Sequence, residues 1–151
     1  MTELLTGKVC ITAGGAAPKG IGQATARLIA EHGARLVIAD ISADARTADT
    51  FLTTLGDAGQ ATAEVIAVRC DIADRQDCDR LVAAATDRFG RLDVLVNLAG
   101  IVGSGPMLDI DVDTLDRMIS VNLKGAFNLC QSTQRCPRPS GCGRWRTRTG
   151  S

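Results

Sequence analysis

A chain of 151 residues with 45% hydrophobic content can bury one globular core but is too short for two full domains. The formal net charge is zero, no apolar run approaches the roughly 20 residues that cross a bilayer, and the first residues lack the features of a secretory signal. These properties argue against a membrane protein and predict a cytoplasmic one, and a single histidine without a cluster of cysteine ligands argues against a metal site.

The first predicted strand, residues 8–12, continues into a glycine-rich turn and then into a helix that begins near Gly20. This order is typical of a dinucleotide cradle, because a pyrophosphate must lie against backbone N–H groups in a turn that a Cβ would oppose. The helix N-terminus adds N–H donors and a partial positive charge. The second strand, residues 35–39, ends at Asp40, at the spacing where a carboxylate would accept the ribose hydroxyls.

The remaining elements alternate in type. A second helix is predicted up to the turn at residues 56–59, a third strand at 64–70, a helix at 75–89 closed by Gly90, and a fourth strand at 93–97. Near-continuous apolar strands between helices predict an α/β fold with a doubly wound parallel sheet. The sheet-facing side of the first helix is predicted to carry Ile21, Ala24, Thr25, Leu28, Ile29 and His32.

Three of the six cysteines, Cys10, Cys70 and Cys130, lie inside apolar strand or helix patterns. No Cys-x-x-Cys spacing occurs, so disulfides and metal ligation are disfavoured. We expect these three residues to be buried thiols.

Three motifs occur in a recognisable order: Asp71-Ile72 after the third strand, Phe-Gly-Arg-Leu-Asp-Val-Leu-Val-Asn-Leu-Ala-Gly at 89–100, and Val-Asn-Leu-Lys-Gly at 121–125. With them, residues 5–133 resemble the N-terminal, cofactor-binding portion of the short-chain dehydrogenase/reductase family. The resemblance implies a Rossmann-like sheet, incomplete here with about four strands, and an NAD(P)-dependent oxidoreductase that transfers hydride between an alcohol and a carbonyl compound.

The resemblance also implies roles for individual residues. Those expected to bind the cofactor are Gly14, Gly20, Ile21 and Gly22 at the pyrophosphate, Asp40 at the adenosine ribose, Asp71 and Ile72 at the adenine, and Asn97, Ala99 and Gly100 at the second ribose; Thr12 and Ile41 complete the cofactor-binding set. Asp71 could instead be a strand-end turn residue, and Asn97 could be purely structural. The loop after Thr12 is longer than the common family form, so either Gly14 or Gly15 must act as its first glycine.

Two residues predict different cofactors. Asp40 would repel a 2′-phosphate, whereas Lys19 lies where family members that use NADP often carry a base. We favour NAD over NADP, because a carboxylate at contact distance excludes a phosphate while a lysine can turn to water.

Asn122 lies in a predicted helix, residues 114–131, on the stripe with Leu115, Met118, Ile119 and Ala126. A buried amide in that position must bond to backbone or water. By resemblance it would be the one catalytic residue present, holding a water in a proton relay; a plain structural amide is the alternative.

The proton-transfer machinery of the family is not found. The resemblance calls for a serine after a fifth strand and for a Tyr-x-x-x-Lys pair, but the sequence has no tyrosine and its last lysine is Lys124. We expect no turnover by this polypeptide. The alternative to an oxidoreductase is a non-catalytic product, either a nonfunctional truncation or a dinucleotide-binding module. The sequence does not define a substrate beyond the alcohol or carbonyl class. Homo-oligomers are common in the family.

Residues 134–151 differ from residues 1–133 in kind. They hold five arginines and no acid, so they carry +5 against −5 for the preceding part. We interpret 1–133 as a partial NAD(P)-binding domain and 134–151 as a disordered basic tail. The favoured hypothesis is that a shifted reading frame produced the tail. Contact with nucleic acid is the disfavoured alternative. Without a fifth strand, the fourth would be an exposed apolar edge that lowers solubility.

Overall fold

The computed structural model describes residues 4–56, 63–103 and 105–134. Four parallel strands in the order β3-β2-β1-β4 form its sheet, which confirms the predicted α/β class. The elements are β1 Val9–Ala13, α1 Ile21–Glu31, β2 Arg35–Asp40, α2 Thr47–Gly56, β3 Val65–Arg69, α3 Arg75–Phe89, β4 Val94–Asn97, a 3₁₀ turn Met107–Asp109, α4 Val112–Ile119, a π-helical segment Ser120–Gly125, and α5 Ala126–Gln134.

The strand register aligns the carboxyl ends of three strands. Ala13 at the end of β1 lies opposite Ala39 of β2 and Asn97 of β4. Loops that leave these strands therefore meet at one edge of the sheet, which is where open α/β sheets bind their ligands. β4 is the last strand on its side of the described sheet.

The sheet is covered on both faces, and β1 and β2 supply the centre of the core. Alternate residues of a strand point to opposite faces, so β1 contributes Val9 and Ile11 to one layer and Cys10 to the other. The first layer packs α3 and Leu129 of α5 against the sheet. The second packs α1 and α2 against the opposite face.

The predicted buried face of α1 is wrong in part. Ile29 is buried as expected, but Ile21 is 77% exposed and Leu28 is 55% exposed. The buried residues are instead Gly22, Ala26, Ile29 and Ala30. Small side chains at three of these positions allow the helix to lie close to the sheet, so backbone approach rather than side-chain size determines the rotation of the helix.

The single helix predicted at 114–131 is also wrong. The chain forms α4, then a π-helical segment, then α5, and a π segment shifts the helical phase by inserting extra residues into a turn. As a result Leu115 and Ile119, which were expected to face the sheet, are exposed. Ala126 and Met118 are half-buried.

The cysteine prediction holds for two of the three residues. Cys10 and Cys70 are buried, whereas Cys130 is exposed because the phase shift before α5 turns it outward. Burial raises the pKa of Cys10 to about 11. A hydrogen bond with Cys78, together with burial, raises the pKa of Cys70 well above its usual range. Both are therefore uncharged core thiols at neutral pH.

The helices within the described ranges include none with the length and hydropathy required to cross a membrane. All but the first residue of the predicted basic tail lies outside the described residues.

Candidate functional site

The glycine loop after β1 passes directly over its neighbouring strands. The Gly14 N–H donates to the carbonyl oxygen of Ala39, with an N···O distance of 2.7 Å. Gly14 has a φ of +80°, and a Cβ added to it would lie 2.6 Å from the backbone nitrogen of Ala99. Gly15 has no positive φ. Of the two glycines left open by the sequence, Gly14 therefore makes the tight turn.

The start of α1 packs onto the same loop. A Cβ on Gly22 would lie 1.9 Å from the carbonyl oxygen of Gly14, so no other residue fits there without a backbone shift. Gly20 is the N-cap and provides no side-chain cap to the first-turn N–H groups. Uncapped N–H groups beside a glycine turn are an anion-binding arrangement. Ile21, the first helical residue, projects into solvent at this point.

Asp40 ties the glycine loop to the end of β2. Its Oδ2 accepts a hydrogen bond from the Ala16 N–H at 3.2 Å. Its Oδ1 accepts from the backbone N–H and hydroxyl of Ser42, at 3.0 Å and 2.8 Å. A carboxylate has about four acceptor positions, so these three bonds leave capacity for a ligand hydroxyl. The neighbouring Ile41 is exposed.

A cavity of about 260 Å³ opens between the glycine loop and α2. Ile38 and Phe51 contribute apolar surface to it, and Asp44 and Arg46 contribute one negative and one positive charge. Lys19, on the loop above, is exposed and adopts a left-handed φ of 62°, with its N–H bonded to Gln23 Oε1 at 3.0 Å. Both negative and positive groups are thus present around the end of β2.

The turn after β3 contains Asp71, whose Oδ1 accepts from the Ala73 N–H at 2.9 Å. This is the Asx turn that the sequence offered as the alternative for Asp71. The second oxygen, Oδ2, has no hydrogen-bond partner within the ranges that the structure describes. The turn therefore uses only one of the two carboxylate oxygens. The side chain of Ile72 is buried in the core, which leaves its backbone, not its side chain, at the edge of the sheet.

The loop after β4 is held by two amide side chains. Asn97 Oδ1 accepts from the Ala99 N–H at 3.2 Å. Asn122 bonds to both backbone groups of Ile101: its Oδ1 accepts from the N–H at 2.9 Å, and its Nδ2 donates to the carbonyl oxygen at 2.8 Å. Gly100 fits beneath it, since a Cβ there would lie 3.3 Å from Asn122 Oδ1.

The expectation that Asn122 is buried is wrong. It is exposed, because the π-helical segment places it over the loop rather than over the sheet. Its amide is nevertheless paired with backbone, as predicted for that group. Thr12 is fully buried in β1, so its side chain does not reach the cleft, and its Oγ1 has no hydrogen-bond partner in the described part of the chain.

One contributing residue was not found from the sequence. Asn128 in α5 donates to the carbonyl oxygens of Ile72 and Ala73, at 3.1 Å and 3.3 Å. A polar residue between Phe127 and Leu129 was the available signal. Across the described ranges, no group of three His, Cys, Asp or Glu side chains has a metal-binding arrangement.

A parallel α/β sheet with a glycine turn after its first strand and an acid at the end of its second defines a Rossmann-like domain of the dinucleotide-binding type. Comparisons with known proteins make this more specific. Residues 14–144 match the family model described as Enoyl-(Acyl carrier protein) reductase. An uncharacterized short-chain type dehydrogenase/reductase of Sinorhizobium fredii is 40% identical over 129 residues, which cover 85% of this chain and 49% of that protein. Tropinone reductase-like 1 of Erythroxylum coca is 41% identical, over 82% of this chain and 43% of that protein.

Comparison with solved structures gives the same kind of relative. A short chain dehydrogenase from Mycobacterium smegmatis superposes with a TM-score of 0.75 at 35% identity, covering 86% of this chain and 51% of that one. A short chain dehydrogenase from Burkholderia cenocepacia in complex with NADP has a TM-score of 0.75 at 31% identity, covering 87% and 51%. The chain belongs to the short-chain dehydrogenase/reductase family and spans about half the length of the curated relatives that it matches.

Proposed function

We propose that this chain binds a nicotinamide dinucleotide across the carboxyl edge of its sheet and is the cofactor-binding part of an oxidoreductase acting on an alcohol or carbonyl compound. The observation that carries the proposal is the contact between Gly14 and Gly22, where backbone lies against backbone with no room for a Cβ. A pyrophosphate needs this close access to N–H groups at a helix N-terminus.

The parts of the cofactor would be distributed along the edge in strand order. The pyrophosphate would lie over residues 14–22 at the end of β1. Asp40, with Ile41 beside it, would accept the hydroxyls of the adenosine ribose at the end of β2. The free oxygen of Asp71 would accept from the adenine amino group beyond it, and the loop of Asn97, Ala99 and Gly100 would support the other ribose.

NAD is the preferred cofactor in this proposal. In the proposed pose the Asp40 carboxylate would lie where a 2′-phosphate approaches, and two like charges in contact repel each other. NADP is the second candidate, because Arg46 lines the cavity beside β2, Lys19 lies on the glycine loop, and the Burkholderia cenocepacia structure holds NADP. When bound, the nicotinamide ring would supply or accept a hydride.

The chain's own residues do not complete the chemistry. Hydride transfer to a carbonyl requires a proton donor for the oxygen, and the sequence contains no tyrosine and no lysine after Lys124. Asn122 contributes by fixing the loop at Ile101 and not by exchanging protons itself. We therefore propose binding without turnover for this polypeptide alone.

The test is a titration of the purified chain with NADH and NADPH, followed by cofactor fluorescence, alongside an assay of NADH consumption with a panel of carbonyl compounds. We expect saturable NADH binding that is tighter than NADPH binding, with no consumption. Gly22→Ala should abolish binding while far-UV circular dichroism reports retained helix. Absence of NADH binding by the wild-type chain would refute the proposed function, and consumption would refute the inactive assignment.

A further inference from the structure

The helical stretch from Asn122 to Asn128 holds both of the loops that would enclose the cofactor. Asn122 is bonded to Ile101 after β4, and Asn128 is bonded to Ile72 and Ala73 after β3. These loops belong to strands on opposite sides of the sheet, with β1 and β2 between them. One helical stretch is therefore bonded to both loops.

The bonds from Asn128 are of a kind that few side chains can make. Its Nδ2 carries two N–H groups, and the carbonyl oxygens of Ile72 and Ala73 lie 3.1 Å and 3.3 Å away in the same turn. An amide can donate to both at once, whereas an aspartate of the same shape has no donor. Asn128 is half-buried, so water competes poorly for these carbonyls.

The turn is also held by groups other than Asn128. Asp77, which is 7% exposed, accepts the Asp71 N–H at 2.9 Å through Oδ2 and pairs with Arg80 through Oδ1. Gly125 packs beneath the turn, since a Cβ there would lie 2.6 Å from Ile72 Cγ1. With these partners fixed, the orientation of Asp71 depends on groups from α3 and α5 together.

We propose that Asn128 is a positioning residue for the adenine end of the bound dinucleotide, acting by holding the 71–73 turn so that the second oxygen of Asp71 faces the ligand. The inference rests on the proposed function. Asn128 touches no ligand itself. It acts through the two carbonyl groups, and its loss would let the turn, and with it Asp71, move away from the adenine.

The test compares Asn128→Asp and Asn128→Ser with the wild-type chain. ADP, which retains the adenine, its ribose and the pyrophosphate but not the second ribose, and NADH are titrated by calorimetry. We expect Asn128→Asp to weaken both by about tenfold, the loss that corresponds to one neutral hydrogen bond. The matched control is Asn122→Asp, the same exchange on the other loop, which should weaken NADH more than ADP, because ADP lacks the ribose that the loop after β4 would support.

Hydrogen–deuterium exchange supplies a readout that does not depend on the cofactor. In Asn128→Asp the amides of Ala73 and Asp74, which close the turn, should exchange about tenfold faster, while those of β1 stay protected. Unchanged exchange, unchanged ADP affinity in a folded variant, or failure of both variants to fold would each overturn the proposal. If the wild-type chain binds neither ligand but the exchange effect is seen, the proposed function fails while the control of the turn by Asn128 stands.

Discussion

Gly14 and Gly22 approach so closely that a Cβ on Gly22 would lie 1.9 Å from the Gly14 carbonyl oxygen. The contact joins the turn after β1 to the first turn of α1, and it explains why the buried face of α1 is built from small residues. Two separate constraints act at Gly14 itself: a φ of +80° and a Cβ position 2.6 Å from the Ala99 nitrogen.

Gly14→Ala should therefore lower the free energy of unfolding by more than the cost of the left-handed conformation alone. Gly90, which ends α3 with a φ of +76° and has no atom within 4 Å of its Cβ position, is the matched control. We expect Gly90→Ala to lower the free energy of unfolding by about 1–2 kcal/mol, the cost of the left-handed conformation. Gly14→Ala should lower it by about 2 kcal/mol more and abolish NADH binding, because the loop must move off the β4 loop. Urea denaturation measures the difference, and equal costs would contradict the close-approach argument.

Asp40 should control which dinucleotide binds. Asp40→Asn retains the shape but removes the charge that repels a 2′-phosphate, and its amide can still reach a ribose hydroxyl. We expect NADH binding to weaken by about tenfold and NADPH binding to tighten, so that the preference between them narrows or reverses. Fluorescence titration at two salt concentrations checks this.

The salt dependence identifies the cause of that change. A purely electrostatic discrimination shrinks as ionic strength rises, whereas a steric one does not. An Asp40→Asn variant with unchanged discrimination between the two cofactors would show that another residue excludes the phosphate.

Asp93 should make the chain sensitive to acid. Its side chain accepts from the Val9 N–H at 2.9 Å and from Arg91 Nε at 2.9 Å, so it joins the start of β4 to β1. Burial alone would raise its pKa, but the hydrogen bonds from Arg91 and Val9 outweigh burial and lower it. A carboxyl whose pKa is lower in the folded state stabilises the fold above its unfolded pKa of about 3.9, and that contribution is lost as pH falls through the folded value.

Asp93→Asn should therefore flatten the loss of stability below about pH 4. At pH 7 the variant should be less stable by about 1–3 kcal/mol, because a bond to a charged acceptor is lost. Asp87→Asn, on the exposed face of α3, is the control for the change in net charge. Thermal melts from pH 7 to pH 3 provide the comparison, and an acid profile of Asp93→Asn that parallels the wild type would contradict the assignment.

The sequence predicts most reliably the elements whose ends are set locally. α3 was predicted at residues 75–89 and is found there, because Asp74 caps its start by accepting from the Gln76 N–H at 2.8 Å and Gly90 ends it in a left-handed conformation. The rotation of α1 was not predictable in this way, since it follows from contact with a loop and not from the pattern of apolar residues in the helix.

The same distinction applies to the site. Gly14, Asp40 and Asp71 could be proposed from the sequence because each follows a strand in a recognisable motif. The exposure of Asn122 could not be found, since it depends on a π-helical segment that leaves no mark in a 3.6-residue periodicity. Asn128 was missed because its partners are 55 and 56 residues away in the chain.

Association in solution should involve the exposed apolar stripe that runs along α4, the π-helical segment and α5, formed by Val112, Leu115, Ile119, Leu123 and Phe127. Leu123 and Phe127 are 67% and 62% exposed, and contiguous apolar surface of this kind promotes self-association. Leu123→Lys with Phe127→Lys should shift the chain toward a monomer in light scattering. The matched control places two lysines on the exposed face of α3, Gln76→Lys with Ala83→Lys. An equal shift in the control would mean that net charge, not the stripe, governs association.

Thr12 offers a change that should stabilise the fold. Its side chain is fully buried, and within residues 4–56, 63–103 and 105–134 its hydroxyl has no hydrogen-bond partner. Thr12→Val keeps the branched shape and removes the unpaired polar group, so we expect the free energy of unfolding to rise by about 1 kcal/mol, with NADH affinity within about twofold of wild type. Thr86→Val is the contrasting control, since Thr86 Oγ1 donates to the carbonyl oxygens of Val82 and Ala83 at 3.1 Å and 2.9 Å. That variant should be neutral or destabilised. Urea denaturation distinguishes the two, and a loss of stability in Thr12→Val would mean that the Thr12 hydroxyl contributes a bond that the fold requires.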